Sequence, residues 1–424
     1  MKTKLSIITA TLLGTTLSLQ AMQFQTIGYQ AISMGGAGVA NSSGSFATYN
    51  NPALLAKAKY DVEIALGGGL STHDHGAGAS MQSLEDSGFL DTVDKASNNV
   101  ASLTQSDVDN LYTGKDVILG MDGNSVELSP QAYLAAQISN FGIGLFVTSD
   151  AVATANVDQA YDQLIFENSG AYWLLNEDNT LTASNVTDYQ NTSMEYAFSN
   201  GLTNTQVKAL AIAEVPIAYA TDLDVGVGTL YVGGALKYMQ GIAYTETFKI
   251  DNSGSAANDK VEQQSTSFGV DAGAAFTPSF LNDFTLGVVA KNINTPSFKI
   301  TETQSVDVEP TVRVGAAYNI TESLHIAADF DLTKNKTFST TSDSQMLGGG
   351  LSFAPTSWFA IRGGLMQNLD AGDAAGVIYT AGLGIGLKWF QIDLSGQMST
   401  KNESVNGTSY PQYAKANLAL ISRW

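Results

Sequence analysis

Fourteen stretches of this chain alternate apolar and polar side chains, and the segments that join them alternate short and long throughout. The stretches lie near 60–70, 128–138, 141–149, 209–221, 229–249, 263–277, 283–292, 309–319, 323–333, 345–354, 357–366, 378–387, 389–399 and 411–424. A strand turns its side chains by half a turn per residue, so each stretch presents one apolar face and one wet face. The connections at 139–140, 222–228 and 278–282 are short, whereas those at 71–127, 150–208 and 250–262 are long. A soluble sandwich shows the same alternation, but nothing in it demands the asymmetry. Short turns at one end, long loops at the other and strands of about ten residues form the pattern of a closed barrel crossing a bilayer. The expected fold is all-β, a transmembrane antiparallel β-barrel of about 14 strands in contact with membrane lipids.

The chain ends on such a strand. Ala414, Ala416, Leu418, Leu420, Ser422 and Trp424 share one face, and Lys415, Asn417 and Arg423 the other. A terminal aromatic closing an alternating strand is how outer-membrane barrels end, although Ser422 stands where an apolar residue is usual. The large aromatics gather at the short-turn end, where Phe141, Phe280, Trp358, Trp389, Phe390 and Trp424 are expected to form a girdle at the headgroup level. Beyond the N-terminus no apolar run reaches the ~18 residues that a membrane helix requires. Residues 1–21, with Lys2 and Lys4 ahead of an apolar stretch and Ala21 at its end, read as a secretory signal peptide. The expected location is the outer membrane of a Gram-negative bacterium.

Strand alternation assigns faces. Leu394 is expected to face lipid and Asp393 the lumen, so Leu394→Arg is expected to impair assembly and Asp393→Asn to be tolerated. The formal charge of −20 gathers in two long extracellular insertions. Segment 71–127 carries ten acids against Lys95 and Lys115, and 150–208 carries eight acids against Lys208 alone. Such surfaces repel phosphate backbones, which excludes nucleic acid as their partner. Both insertions show helical spacing, at Met81, Leu84 and Leu90 in the first and at Val157, Tyr161, Leu164 and Ile165 in the second. They are either surfaces for cell-surface partners or solvated caps.

Fourteen strands enclose more space than their own side chains fill, and residues 22–59 are available to block it. This segment carries Met34-Gly35-Gly36-Ala37-Gly38-Val39-Ala40 and then Thr48-Tyr49-Asn50-Asn51-Pro52-Ala53-Leu54-Leu55. Glycines let backbones approach closely, and Gly382, Gly384 and Gly386 share one strand face that either matches the plug or merely relieves crowding. The two motifs resemble the N-terminal region of FadL-type outer-membrane transporters, in which a Gly-rich stretch and an Asn-Pro-Ala motif form a plug inside a fourteen-stranded barrel. Within that superfamily the chain looks most like the branch named for conjugal transfer, the TraF-like barrel proteins.

The resemblance implies a plug or gate built on Gly35, Gly36, Gly38, Asn51, Pro52 and Ala53, ahead of a barrel over 60–424. It also implies a kinked third strand as a lateral opening, here with Gly142 and Gly144 as the residues able to bend it. Three readings stay open: passage of a small hydrophobic molecule, a conjugal-transfer role through the acidic loops at 71–127 and 150–208, or a structural barrel without transport. No catalytic residue, metal site or cofactor is expected. His73-Asp74-His75 reads as a loop start without a third ligand, and His325, on the lumen face, has no serine at a nucleophile's spacing. The chain has no cysteine for a thiol nucleophile or a disulfide.

Overall fold

A computed structural model describes residues 25–42, 44–249, 256–336, 343–370, 375–387 and 389–424; the expected signal peptide at 1–21 lies outside them. Fourteen antiparallel strands close into one barrel, each paired with its neighbours in sequence order. They are β1 (Val62–His75), β2 (Ser125–Ile138), β3 (Phe141–Asn156), β4 (Asn204–Asp224), β5 (Gly228–Lys249), β6 (Ala256–Pro278), β7 (Phe284–Lys291), β8 (Thr311–Asn319), β9 (Leu324–Asp331), β10 (Met346–Thr356), β11 (Phe359–Asn368), β12 (Val377–Leu387), β13 (Phe390–Ser399) and β14 (Tyr413–Arg423). Closure joins β14 to β1, and Trp424 exchanges backbone hydrogen bonds with Val62 at 3.0 and 3.2 Å. The Ser422 hydroxyl donates to the Trp389 carbonyl at 2.7 Å, which gives a polar residue a partner in the girdle.

The expected strands are all present; β1, β3, β4 and β6 run further than periodicity indicates, whereas β5 keeps nearly its expected span. β4, β5 and β6 have 21, 22 and 23 residues, about twice what a bilayer crossing needs. Their outer ends, such as Asn204–Lys208 and Thr245–Lys249, are half-buried on both faces, so the alternation fades there although the ladder continues. This wall rises above the membrane and narrows the two large insertions to 76–124 and 157–203.

The faces follow the sequence reading. Leu66, Leu134, Ile217, Leu236, Leu365 and Leu394 point outward and are exposed, the apolar belt a barrel presents to lipid. Phe141, Phe280, Trp358, Trp389, Phe390 and Trp424 are exposed near the short turns. Inward positions mix polar and small or apolar residues, and the polar ones are not solvated: Asp393 is 0% exposed.

The two insertions form a single cap with one apolar core. The first supplies α1 (Ala77–Asp86), α2 (Phe89–Asn99) and α3 (Gln105–Gly120), the last started by a reciprocal capping box between Thr104 and Asp107. Phe89, Leu111 and Ile118 from this half pack with Leu164, Phe166 and Phe198 from the other. In the second insertion the expected helix near 157–165 is absent. Ile165–Asn168 opens a small three-stranded sheet with Ala171–Leu175 and Leu181–Ser184, and the helices come later, at Val186–Thr192 and Met194–Asn200. The apolar spacing at Val157 and Leu164 serves the shared core rather than a helical face.

Candidate functional site

Residues 25–42 and 44–57 lie within the barrel against the inward faces of its strands, mostly buried. A helical turn at Tyr29–Ser33 breaks at Gly35 and Gly36, whose φ angles of 67° and 85° are in the left-handed region that favours glycine. A Cβ on Gly35 would also collide with the backbones of Gly349 and Leu365. The facing wall is correspondingly bare: side chains on Gly348, Gly350 or Gly364 would strike the Met34-Gly35 backbone. This is the glycine wall that the sequence reading sought at Gly382, Gly384 and Gly386. Of those three only Gly382 meets the segment, at Ser33, because Gly384 lies beside Asp393 and Gly386 beside Phe390.

The remaining motif residues have separate tasks. Gly38 and Val39 donate their backbone N–H groups to the Asp329 carboxylate of β9 at 2.8 and 2.9 Å. Asn51 caps the turn Pro52–Lys57 by accepting from the Ala53 N–H at 3.1 Å, and its amide donates to the Val39 carbonyl at 2.8 Å. Asn51 thus ties the Asn-Pro-Ala motif to the Gly-rich stretch. Pro52 sits where a side chain on Gly233 would be, and Ala53 packs on Ala218, Ala235 and Ala275. Ser45 donates from both N–H and hydroxyl to Glu63, which also receives Arg423 at 2.8 Å. Thr380 and Gln397 bond Ser33 and Ile32 carbonyls at 2.9 Å.

Buried ion pairs fill what the segment leaves. Arg362 meets Asp393 at 2.9 Å, Arg313 meets Asp331 at 2.5 Å, and Lys237 lies between Glu214 at 3.2 Å and Asp271 at 3.0 Å. Arg362 also stacks over the Tyr29 ring at 4.8 Å. These charges are out of water, so they depend on their partners. The expectation that Asp393→Asn is tolerated is corrected on this ground.

The third strand departs from its expected role in detail. Gly142 and Gly144 face inward and mark no bulge: a Cβ on Gly142 would strike Thr48, and one on Gly144 the Phe146 ring. The register of β3 holds from end to end on both sides, yet each ladder has a gap. On the β2 side pairing skips Ser129-Pro130, and on the β4 side it skips Val215-Pro216 opposite Gly144-Leu145. Both prolines remain paired with their other neighbours, so the N–H each lacks is the one β3 would have used. Beside the second gap the Phe146 ring covers Gly144 and packs 4.9 Å from the Tyr49 ring; both belong to a larger aromatic cluster with Tyr29, Phe46 and Tyr133 that extends toward β1, β2 and β14. The prolines were visible in the sequence; their meaning depended on which neighbour they faced.

At the outer mouth, the hairpin of Ser297–Lys299 and Ser305–Asp307 folds inward and buries Phe298 against Leu210, Ile212 and Met239. His73-Asp74-His75 belongs to β1 and not to a loop, and Glu127 of β2 joins the two histidines as the one cluster of possible metal ligands among the described residues. His325 bonds Asn319 through Nδ1 at 2.7 Å.

Solved structures of the same form exist. The TodX monoaromatic hydrocarbon channel, as a deltaS2 mutant, is 11% identical with a TM-score of 0.53 over 95% of this chain and 100% of its own. The Ralstonia pickettii toluene transporter TbuX is 12% identical with a TM-score of 0.52 over 96% and 99%, and a Pseudomonas aeruginosa FadL homologue is 11% identical with 0.51 over 95% and 99%. At such identity the likeness establishes the fold alone, a closed fourteen-stranded barrel similar to these channels. No curated protein sequence matches the chain. The profile of the family described as F plasmid transfer operon, TraF, protein matches residues 48–331, more than half of the chain, and spans the Asn-Pro-Ala turn and the first nine barrel strands; the chain belongs to this TraF family.

Proposed function

We propose that this barrel passes a small hydrophobic molecule across the outer membrane and releases it sideways, between β3 and β4, into the lipid. The observation that carries the reading is the unpaired stretch of the β3–β4 ladder at Val215-Pro216, beside which the Phe146 and Tyr49 rings pack together. A solute leaving there enters the apolar belt by displacing the Phe146 ring and the Tyr49 ring of the segment at 25–57 that packs on it. The segment acts as the plug, with Gly35, Gly36, Gly38, Asn51, Pro52 and Ala53 fixing its path, and residues 1–21 serve as the export signal. The structures of similar form that are named for hydrocarbon or toluene transport support this substrate class. Purified protein in liposomes should raise the influx of labelled toluene over empty liposomes. It should leave glucose excluded; equal toluene influx with and without protein would end this reading.

A second reading rests on the cap. Two acidic insertions that share one core present a single rigid surface outside the cell, and the family is described by a transfer operon. Replacing both 76–124 and 157–203 by short turns should then abolish mating while toluene influx persists. Retained mating would exclude this role.

A further inference from the structure

The outer mouth of the barrel brings together two imidazoles and a carboxylate that the transport reading does not use. Odd-numbered residues of β1 point into the lumen, so His73 and His75, two apart, share that face. The ladder sets Glu127 of β2 directly across from His73. Their rings lie 3.7 Å apart, and one ligand atom from each of His73, His75 and Glu127 lies within 4.8 Å of the other two. A tetrahedral zinc with bonds of about 2.0–2.2 Å holds its donors roughly 3.3–3.6 Å apart. Small side-chain rotations close that difference and leave the ladder as it is.

The surroundings suit such an ion. The Ser129 hydroxyl donates to one Glu127 oxygen at 3.0 Å, fixing the carboxylate as outer partners of metal ligands do. All three residues are half-buried. Two nitrogens and one oxygen, with a fourth position for water, match a borderline ion such as Zn²⁺. Mg²⁺ and Ca²⁺ select sets made of oxygen alone.

The place also has a consequence. β1 runs into α1 two residues after His75, and β2 starts five residues after α3 ends. These two strands are therefore the stalk of the first half of the cap. We propose that His73, His75 and Glu127 bind a zinc-class divalent ion that clasps β1 to β2 and holds the cap upright over the lumen. This rests on the side-chain cluster alone and is independent of what the barrel transports.

Full-length barrel without a histidine tag, stripped with chelator and dialysed against micromolar zinc, tests this by metal analysis. The expected result is one zinc per chain. It falls below one tenth in the double variant His73→Ala with His75→Ala, and at least tenfold in affinity in Glu127→Gln. Ser129→Ala should weaken binding about 10-fold, and His325→Ala should retain one zinc. Heat-modifiable gel mobility verifies that each variant is a closed barrel. If the double variant does not assemble, Glu127→Gln, which keeps size and shape, decides. Zinc should also slow proteolysis of the cap in the wild type and in His325→Ala but not in Glu127→Gln. No bound zinc in the wild type, or undiminished zinc in Glu127→Gln, overturns the site; zinc binding without cap protection overturns the clasp.

Discussion

Replacing Asp393 by Asn removes one charge and almost no volume, so its effect isolates the electrostatics of the plugged lumen. The Asp393 carboxylate accepts from Arg362 at 2.9 Å and from Gln391 at 2.7 Å, and the Arg362 and Asp393 side chains are 6% and 0% exposed. At 2.9 Å and an effective dielectric constant of about 20, the gross attraction is about 6 kcal/mol. Asn keeps neutral hydrogen bonds of about 1 kcal/mol each, and it leaves the guanidinium buried without its counter-charge. Breaking such a pair from one side costs about 3–5 kcal/mol. That is as large as the roughly 2–4 kcal/mol for Leu394→Arg on the lipid face. Two adjacent substitutions, one inward and conservative and one outward and drastic, should therefore destabilise alike. Folded fraction by heat-modifiable mobility across a guanidinium titration measures both. The double variant Arg362→Met with Asp393→Leu should recover most of the loss, because it removes the charge that Asp393→Asn strands. A cost below about 1 kcal/mol for Asp393→Asn would mean that water reaches this pair and that the lumen is open there.

Deleting residues 25–50 takes nothing from the ladder, since β1 begins at Val62. The truncated barrel should assemble and conduct in planar bilayers where the intact protein is closed; unchanged conductance would remove the plug. In the cap, Phe89 is fully buried among residues of both insertions, so Phe89→Ala should cost about 3–5 kcal/mol of cap stability. Protease cutting should then spread to 76–124 and 157–203 together, with the barrel's heat shift unchanged, whereas cutting in the first insertion alone would deny the shared core. Burial holds the Glu195 carboxyl above its ordinary value of 4.5. The folded cap thus binds this proton more readily than the unfolded one, and the residue's contribution is most favourable at acid pH and fades as pH rises through the folded value. Glu195→Gln should make the cap more protease-resistant at pH 7.5 and match the wild type near pH 4; equal resistance at both would refute it.

The sequence made the barrel legible because alternation is a local signal. From Phe390 to Trp424 the inward and outward residues are those the period indicates, down to Asp393 and Leu394. The plug motif was legible too, since Gly35 and Asn51 are residues whose backbone and capping roles few others perform. What escaped were relations between segments distant in the chain. Phe89 and Phe198 show no common period, yet their rings meet at 5.9 Å in one core. Pro130 and Pro216 look like isolated strand prolines until the register shows that both face β3. Asp393 was placed on the correct face but taken as solvated, because alternation tells direction and not what fills the space beyond. Glu127, 54 positions after His73, became its neighbour only through the β1–β2 ladder.

Sideways release makes one demand that can be switched on and off. Leu145 and Val215 face each other across the unpaired stretch of β3 and β4, and the chain contains no cysteine of its own. Leu145→Cys with Val215→Cys, joined by a disulfide or a short reducible bis-thiosulfonate linker, closes the gap without touching the plug or the cap. Toluene influx into liposomes carrying this variant should fall to the level of empty liposomes when crosslinked and return on reduction. Equal influx in the linked and reduced states, with linkage verified by mass, would contradict release between β3 and β4.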